Sequence, residues 1–586
     1  MKPKAKYFVL LLLVFVLSLW VYFLFIRTDV STIYVNAKIY TMDDKNTVAE
    51  AMAVNGGKIV GVGTRDEIER KFRATTTVDL QGKPMIPGLI DAHAHLLSLG
   101  IARLTLDLVG TESTDKVAAK VKERISKLEE GEWVRGRGWD QNDWPVKSFP
   151  TSRILDRVSP TNPVYLTRID GHAAWVNSMA LELAGVTKTT PDPPGGKIIR
   201  DARGNPTGVL IDAAMRLVSA KLPNVSQDEI QEALQLAVDE CLKLGITSVH
   251  DMGVDLDDIH LYQHAIDIGL PMIRIYAAIG GTGSTWDHFI AHGPMLGYGN
   301  GFLTVRALKL YIDGALGSRG AALIEPYTDD PNNRGLTIMA EQKLRTDVEQ
   351  ALNHGFQVCT HAIGDRGNNL VLNAYETALK TVPRKDHRLR VEHAQVVTPS
   401  DIPRFSQLGV LPSMQPTHCT SDMYWAEARL GPERVKGAYA WRSFREAGSI
   451  IPGGSDFPVE RPNPILGIYA AVTRRDLNGR PIDAEEVKRH FQLSPAGISD
   501  PTDFQNGWYA KEKLTREEAL RMFTTWAAWS EFAEGNKGSL EEGKYADFVV
   551  LSDDIMIVAE EQIPRITVLM TAVGGRVLHS TFPTVQ

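Results

Sequence analysis

The sequence predicts an α/β protein: a parallel (β/α)8-type barrel, one discontinuous β domain drawn from both chain ends, and a transmembrane helix ahead of them. Three observations carry this expectation. Apolar, strand-like runs alternate with helical stretches through the middle of the chain, the pattern of buried parallel strands joined by crossover helices. Both ends are rich in β-branched residues and hairpin turns. The first thirty residues hold an uncharged apolar run of twenty, Tyr7 to Ile26.

That apolar run comes first in chain order. As a helix rising 1.5 Å per residue it spans about 30 Å of hydrocarbon. Lys2, Lys4 and Lys6 precede it, and Arg27 and Asp29 follow. The positive-inside rule places the short tail in the cytoplasm and the rest across the membrane, at the periplasmic or outer face in a bacterium. A cleaved signal competes with this reading, but its apolar region is only about 7–15 residues and ends in small residues. Here the run closes on Phe-Leu-Phe-Ile-Arg-Thr. Residues 1–30 are therefore read as a cytoplasmic tail and single-pass anchor.

Residues 31–86 follow as short strands, TIYVNAKIYTMD, AMAVNGGKIVGVG and TTVDLQGKPMI, with Asn55-Gly56-Gly57 as a tight hairpin turn. Residues 535–586 share that texture, in ADFVVLS and ITVLMTAVGGRVLH, with a second turn at Gly574-Gly575. Chain termini often lie close together, so the two segments are expected to form one sheet domain. Residues 87–534 carry nine apolar runs: MIPGLIDAH, PVYLTRI, GITSVHD, MIRIYAAI, LTVRALKLYID, FQVCTHA, LRVEHA, GVLPSMQ and SIIPGGSD. Eight suffice for the barrel; the extra one is at 163–169 or 272–278. Residues from about 113 to 210, with Trp133, Trp139, Trp144 and Trp175, read as an insertion.

Composition narrows the function. Hydrophobic residues are 43% and charged residues 23%, as in ordinary globular proteins. The 64 basic against 71 acidic residues give a net charge of −7, and nothing forms the basic stripe that nucleic acid requires. Cys241, Cys359 and Cys419 make neither a disulfide framework nor a CxxC pair.

The chemistry rests with the fifteen histidines and a few strand-ending polar residues. His93 and His95 lie in PGLIDAHAHL. Residues i and i+2 of a strand share a face, so both imidazoles can converge on one metal ion. Lys309 follows VRAL, His361 ends FQVCTH, His393 ends LRVEH, and Asp456 ends IIPGGSD. One such residue is ordinarily a satisfied core group. Five sites finishing five apolar runs are not, since a buried lysine and aspartate each need a partner, and a metal centre supplies it. The C-terminal ends of barrel strands are also where barrel enzymes place their chemistry. By contrast, the HxxxH pairs His260/His264 and His288/His292 lack the glutamate of HExxH and read as ordinary helix residues. His250 and His418 stand at strand ends with pocket and structural readings balanced.

These segments resemble a known family. PGLIDAHAHL, LKLYIDGALGSRGAAL, CTHAIGDRGNN, RVEHAQ, SMQPTH, GGSDFPV and the closing GSLEEGKYADFVVL are similar to the metal-dependent amidohydrolase superfamily, and most to its YtcJ-type (amidohydrolase-3) branch, from about residue 33 to 579. The resemblance implies a distorted TIM barrel with a β-sandwich built from both chain ends. It implies His93, His95, His361, His393 and Asp456 as metal ligands, with Lys309 matching a lysine that is carboxylated and bridges two metals in many members. The anchor is not part of the family pattern.

The expected function is hydrolysis of a carbon–nitrogen bond other than a peptide bond, of the N-substituted amide type, on a small-molecule substrate. One or two divalent ions, with Zn²⁺ suited to this donor set, activate water, while Asp456 is general base and then acid and His393 is the second catalytic residue. Trp139, His172, Arg319 and Trp425 are expected at the substrate pocket, with Arg319 either pairing a substrate carboxylate or bracing a loop. An ester or lactone hydrolase with the same centre is the alternative, and a catalytically retired, membrane-tethered binding scaffold is the alternative from another class.

Overall fold

The computed structural model describes residues 27–582 apart from 142–143, 147, 169–172, 194–195, 224–225, 318, 478 and 480–505. Runs of small and β-branched residues, buried on both faces, form a parallel sheet. Its strands are β1 (Leu89–Ala94), β2 (Ile246–Val254), β3 (Arg274–Gly280), β4 (Leu303–Tyr311), β5 (Gln357–Ala362), β6 (Arg390–His393) and β7 (Leu411–Ser413). Each pairs in parallel with the next, in chain order. Near-continuous apolar strands of this kind need helices on the outer face. Those of Glu341–Asn353 after β4 and Asp365–Thr381 after β5 supply them, each turning Leu, Val and Ala inward.

The sheet is nearly closed. The segment ending at Asp456 occupies the gap between β7 and β1 without being a regular strand. Met414 N–H donates to the Pro452 carbonyl (3.0 Å) and Gly454 N–H to that of Met414 (3.1 Å). On the other side Ala92 N–H donates to the Gly453 carbonyl (2.9 Å) and Asp456 N–H to that of His93 (2.8 Å). Pro452 has no N–H to give, which interrupts the ladder. Gly454 is required by close approach: a Cβ there would lie 2.5 Å from the backbone nitrogen of His93. The surplus apolar run of the sequence is also placed: 272–278 lies in β3, while Val164–Arg168 belongs to a different sheet.

Strands from the two chain ends share a sheet. Phe548–Leu551 runs antiparallel to Pro84–Pro87, with Val549 opposite Ile86, and Val568–Val573 and Arg576–Ser580 extend it. A second sheet holds Thr28–Val35, Ala51–Asn55, Lys58–Gly63 and Phe72–Asp79. Tyr34, Met52 and Ile59 of that sheet pack with Ile39, Met85, Phe548 and Val550 of the first. The hairpin turns are glycine-dependent. Gly56 and Gly57 have φ of 58° and 80°, and Gly574 and Gly575 have 56° and 71°, the left-handed pair of a two-residue turn.

The chain divides into two compact units, one comprising the chain up to His95 with Val238–Gln586, the other Leu96–Ala237. The second unit begins and ends beyond the insertion expected over 113–210. It has its own six-stranded sheet and its own core, in which Trp139, Trp144 and Trp175 pack with Leu108, Val134 and Leu155.

One expectation is corrected. Among the described residues no helix is long and apolar enough to cross a membrane. The run Tyr7 to Ile26, on which the single-pass, extracytoplasmic reading and its membrane partner rested, lies outside the described residues. The longest described helices, Gln227–Lys243 and Asp365–Thr381, have 17 residues each and span about 26 Å. Both are amphipathic: Asp365–Thr381 buries Val371, Leu372, Tyr375 and Ala378 while Lys380 points outward, so it covers a sheet rather than facing lipid.

Candidate metal centre

Strand alternation aims the first two imidazoles. In β1, Ile90 and Ala92 pack outward against Ala527 and Ala528, which leaves Asp91 and His93 facing inward. Asp91 clamps the closing segment: it accepts from Ser455 N–H (3.0 Å) and Ser455 Oγ (2.6 Å), and from His93 N–H (3.1 Å). Burial pushes its carboxyl up to about 7. His393 and Asp456 stand where their segments leave regular geometry, with φ of 74° and 62°. Such conformations cost on the order of 1–3 kcal/mol in a non-glycine residue and collect at functional sites.

The six residues expected as ligands come together. His93 Nε2 lies 3.2 Å from Lys309 Nζ and 3.5 Å from Asp456 Oδ1, and His95 Nε2 lies 3.1 Å from the same oxygen. The His393 ring centroid is 4.8 Å from that of His93 and 4.5 Å from that of His361. Ligand atoms of His93, His393 and Asp456 all fall within 4.8 Å of one another. His418 joins them, its Nε2 3.8 Å from Asp456 Oδ2.

Electrostatics keep three of the imidazoles, His93, His361 and His393, neutral with a free lone pair, whereas His95 is raised against its burial by the hydrogen bond to Asp456. Burial, helped by the Lys309 charge, pushes His93 down to about 4 and His361 to about 3. Burial and the neighbouring His361 hold His393 well below the ordinary histidine range. Burial opposes ionisation of Asp456, yet the hydrogen bond from His95 holds it well below the usual carboxylate range. Lys309, with no exposed surface, is also lowered by burial.

The residues fit a divalent ion. Nε2 of His361 and Nε2 of His418 are buried with no hydrogen-bond partner among the described residues. Buried polar atoms are nearly always satisfied, and lone pairs left open beside a carboxylate are what a cation completes.

A cavity of about 400 Å³ opens over the centre. Tyr311, Leu316, Trp425 and Val459 give it apolar walls, and Asp422 and Glu460 add acids. The expected pocket residues are distributed differently. Trp425 lines this cavity. Arg319 is engaged by Asp329, Nε to Oδ1 at 3.1 Å and Nη2 to Oδ2 at 3.0 Å, with Arg429 on the same carboxylate, so it braces a loop. Trp139 is fully buried among the tryptophans of the second unit, its indole N–H donating to the Leu166 carbonyl (2.8 Å), a packing position and not a pocket wall. His172 lies outside the described residues. His260, His264, His288 and His292 are exposed on their helices. His250 is buried in β2 between Arg390 (2.7 Å) and Glu531 (3.1 Å).

Sequence reasoning passed over Glu392, Gln415 and Asp313. Glu392 accepts from His93 Nδ1 (2.6 Å), and Gln415 Oε1 lies 2.7 Å from His393 Nδ1. Asp313 accepts from the backbone N–H groups of Ile363, Gly364 and Ala322, pinning the chain just past His361. Glu392 immediately precedes a proposed ligand, and alternation would send the pair to opposite faces; the left-handed turn at His393 removes that constraint.

Comparison with known proteins agrees with this geometry. A family model described as the amidohydrolase family matches residues 76–579. The chain is 34% identical over 559 residues to YtcJ of Bacillus subtilis, covering 92% of this chain and 98% of that one. It is 35% identical to the protein LONG AFTER FAR-RED 3 of Arabidopsis thaliana, covering 93% and 91%. To an N-substituted formamide deformylase of Arthrobacter pascens it is 28% identical, covering 92% and 97%. Among solved structures, an uncharacterized metal-dependent hydrolase from Pyrococcus horikoshii superposes with a TM-score of 0.72 at 26% identity, covering 90% of this chain and 99% of that one. The chain belongs to the amidohydrolase family and is a metal-dependent hydrolase.

Proposed function

We propose that the protein hydrolyses a carbon–nitrogen bond other than a peptide bond, in an N-substituted amide small enough for a cavity of about 400 Å³. The observation that carries this is the convergence of His93, His393 and Asp456 ligand atoms within 4.8 Å at the floor of that cavity. The similarity to an N-substituted formamide deformylase supports the amide class. His93, His95, His361, His393, Asp456 and Lys309 hold one or two divalent ions, and Zn²⁺ suits the donor set. When bound, such an ion acidifies water from a pKa of 15.7 toward about 7 and polarises a carbonyl.

The chain's own groups perform the proton traffic. Asp456 Oδ1, 3.1 Å from His95 Nε2, accepts a proton from the water that attacks the carbonyl carbon. The tetrahedral intermediate then collapses as the C–N bond breaks, and Asp456 returns the proton to the leaving nitrogen. The products are a carboxylic acid and an amine. Tyr311 and Trp425 hold the N-substituent and exclude water. Lys309 is read as carboxylated: its buried Nζ, 3.2 Å from His93 Nε2, is placed to carry a carboxylate into the ligand set, formed from the amine and carbon dioxide with release of a proton to solvent.

The test measures bound metal by elemental analysis and turnover of N-substituted formamides, acetamides and matched esters, with and without chelator. Chelator-sensitive amide turnover is expected. Ester turnover alone transfers the site to ester or lactone hydrolysis. A folded, metal-free and inactive protein overturns the hydrolase mechanism.

A further inference from the structure

The ligand imidazole of His93 is held from behind by a buried charge chain. Glu392 has no exposed surface, and both its oxygens are used. Oε1 accepts from Arg390 Nε (2.7 Å), and Oε2 accepts from Arg390 Nη2 (3.0 Å) and from His93 Nδ1 (2.6 Å). Arg390 is fixed in turn. Its Nη2 donates to the Ala92 carbonyl (2.6 Å) and to Ser413 Oγ (2.8 Å), and its Nη1 to His250 Nδ1 (2.7 Å). One guanidinium thus ties β6, which carries Glu392, to β1, which carries His93, and to β7 and β2.

A guanidinium–carboxylate pair needs no third member for its own stability; two parallel bonds already satisfy it. The additional 2.6 Å contact with an imidazole has a chemical consequence. An ionised carboxylate only accepts, so His93 Nδ1 carries the proton and its Nε2 lone pair is free. Nε2 is the atom that faces Lys309 and Asp456.

We propose that Glu392 is a positioning residue: balanced by Arg390, its carboxylate fixes His93 as the Nδ1–H tautomer and aims Nε2 into the metal centre. The proposal rests on the metal-dependent reading above. Partners of this kind, when removed, weaken metal binding by about 10–100-fold.

The experiment titrates zinc into the chelator-stripped full chain against a competing chromophoric chelator, for the wild type, Glu392→Gln and Asp547→Asn. The last variant breaks a buried pair with Arg274 elsewhere in the protein and controls for structural damage. Glu392→Gln is expected to lose about 10–100-fold in zinc affinity and to change the visible spectrum of the cobalt-substituted protein. Asp547→Asn should lower thermal stability and leave both readouts unchanged. Wild-type zinc affinity and cobalt spectrum in Glu392→Gln, or an equal loss in Asp547→Asn, overturns the assignment. A second measurement covers a Glu392→Gln chain that does not fold. Imidazole ¹⁵N shifts of the metal-free wild type should show His93 protonated on Nδ1, and protonation on Nε2 alone overturns the proposal. A wild type that binds no zinc refutes the metal reading, and the His93 tautomer then decides the Glu392 assignment by itself.

Discussion

On the proposed reading, Asp456 concentrates the function in one side chain. It touches His93 and His95, lies near His418, and sits in a left-handed conformation that aims it across the centre. Asp456→Asn keeps the shape and one ligand oxygen but cannot take a proton. It should retain bound metal in elemental analysis and lose at least about 10²-fold in turnover, the usual size of a general-base contribution; near-full activity would remove Asp456 from that role. At this scale much of the centre was legible. The HxH spacing and the polar residues closing apolar runs led to six positions that the structure brings together. Glu392 was not legible, because its role depends on φ at the next residue. For Arg319 a loop brace was one of two readings, but its partner Asp329 was not legible, being a neighbour only through the loop's own fold. Trp139 illustrates a further limit: a tryptophan's sequence context does not distinguish a pocket wall from a core.

At the scale of elements, the loop after β4 and the helix Ala426–Arg434 cooperate over the cavity. Gly317 and Leu316 come from the loop and Trp425 from just before the helix, and Asp329 ties the two by binding Arg319 and Arg429 together. Asp329→Ala leaves two guanidinium groups facing each other. The pair with Arg319 is partly exposed, where such bridges contribute only about 0.2–1 kcal/mol, but that with Arg429 is mostly buried, so a moderate fall in thermal stability is expected. The cavity wall should loosen as well: KM is expected to rise several-fold with a smaller change in kcat, and limited proteolysis in the loop should accelerate. An unchanged KM would show that the brace does not shape the pocket. The barrel strands were readable as apolar runs, including SIIPGGSD; not readable was that this last run fills its place without regular strand pairing, because Pro452 and Gly453-Gly454 interrupt the ladder.

At the scale of the molecule, charged groups buried behind the centre hold distant parts of the chain together. Glu531 lies 2.8 Å from Lys537 and 3.1 Å from His250, and Lys537 donates to Ser248 in β2 (2.6 Å). Burial works against its ionisation, but Lys537 and His250 hold it down to about 2, against 4.5 in the unfolded chain. Because the folded value is the lower one, its contribution is complete above about pH 4.5 and is lost as pH falls from there through about 2. That contribution is on the order of 3 kcal/mol. Glu531→Gln should therefore unfold at lower urea than the wild type at pH 7, and the gap should narrow steadily below pH 4.5; a gap independent of pH would assign the loss to packing. The closing segment adds a consequence in time. Ser455 and Asp91, whose bond locks that segment onto β1, are 364 residues apart in the chain. At about 5–20 residues per second, a nascent chain displays its first two imidazoles for roughly 20–70 seconds before the aspartate that completes the set is even made. Translation thus imposes an order on assembly: the two imidazoles of the opening motif meet Asp456 only after the closing segment is made, so on the proposed reading a polypeptide halted before it carries the motif without the general base.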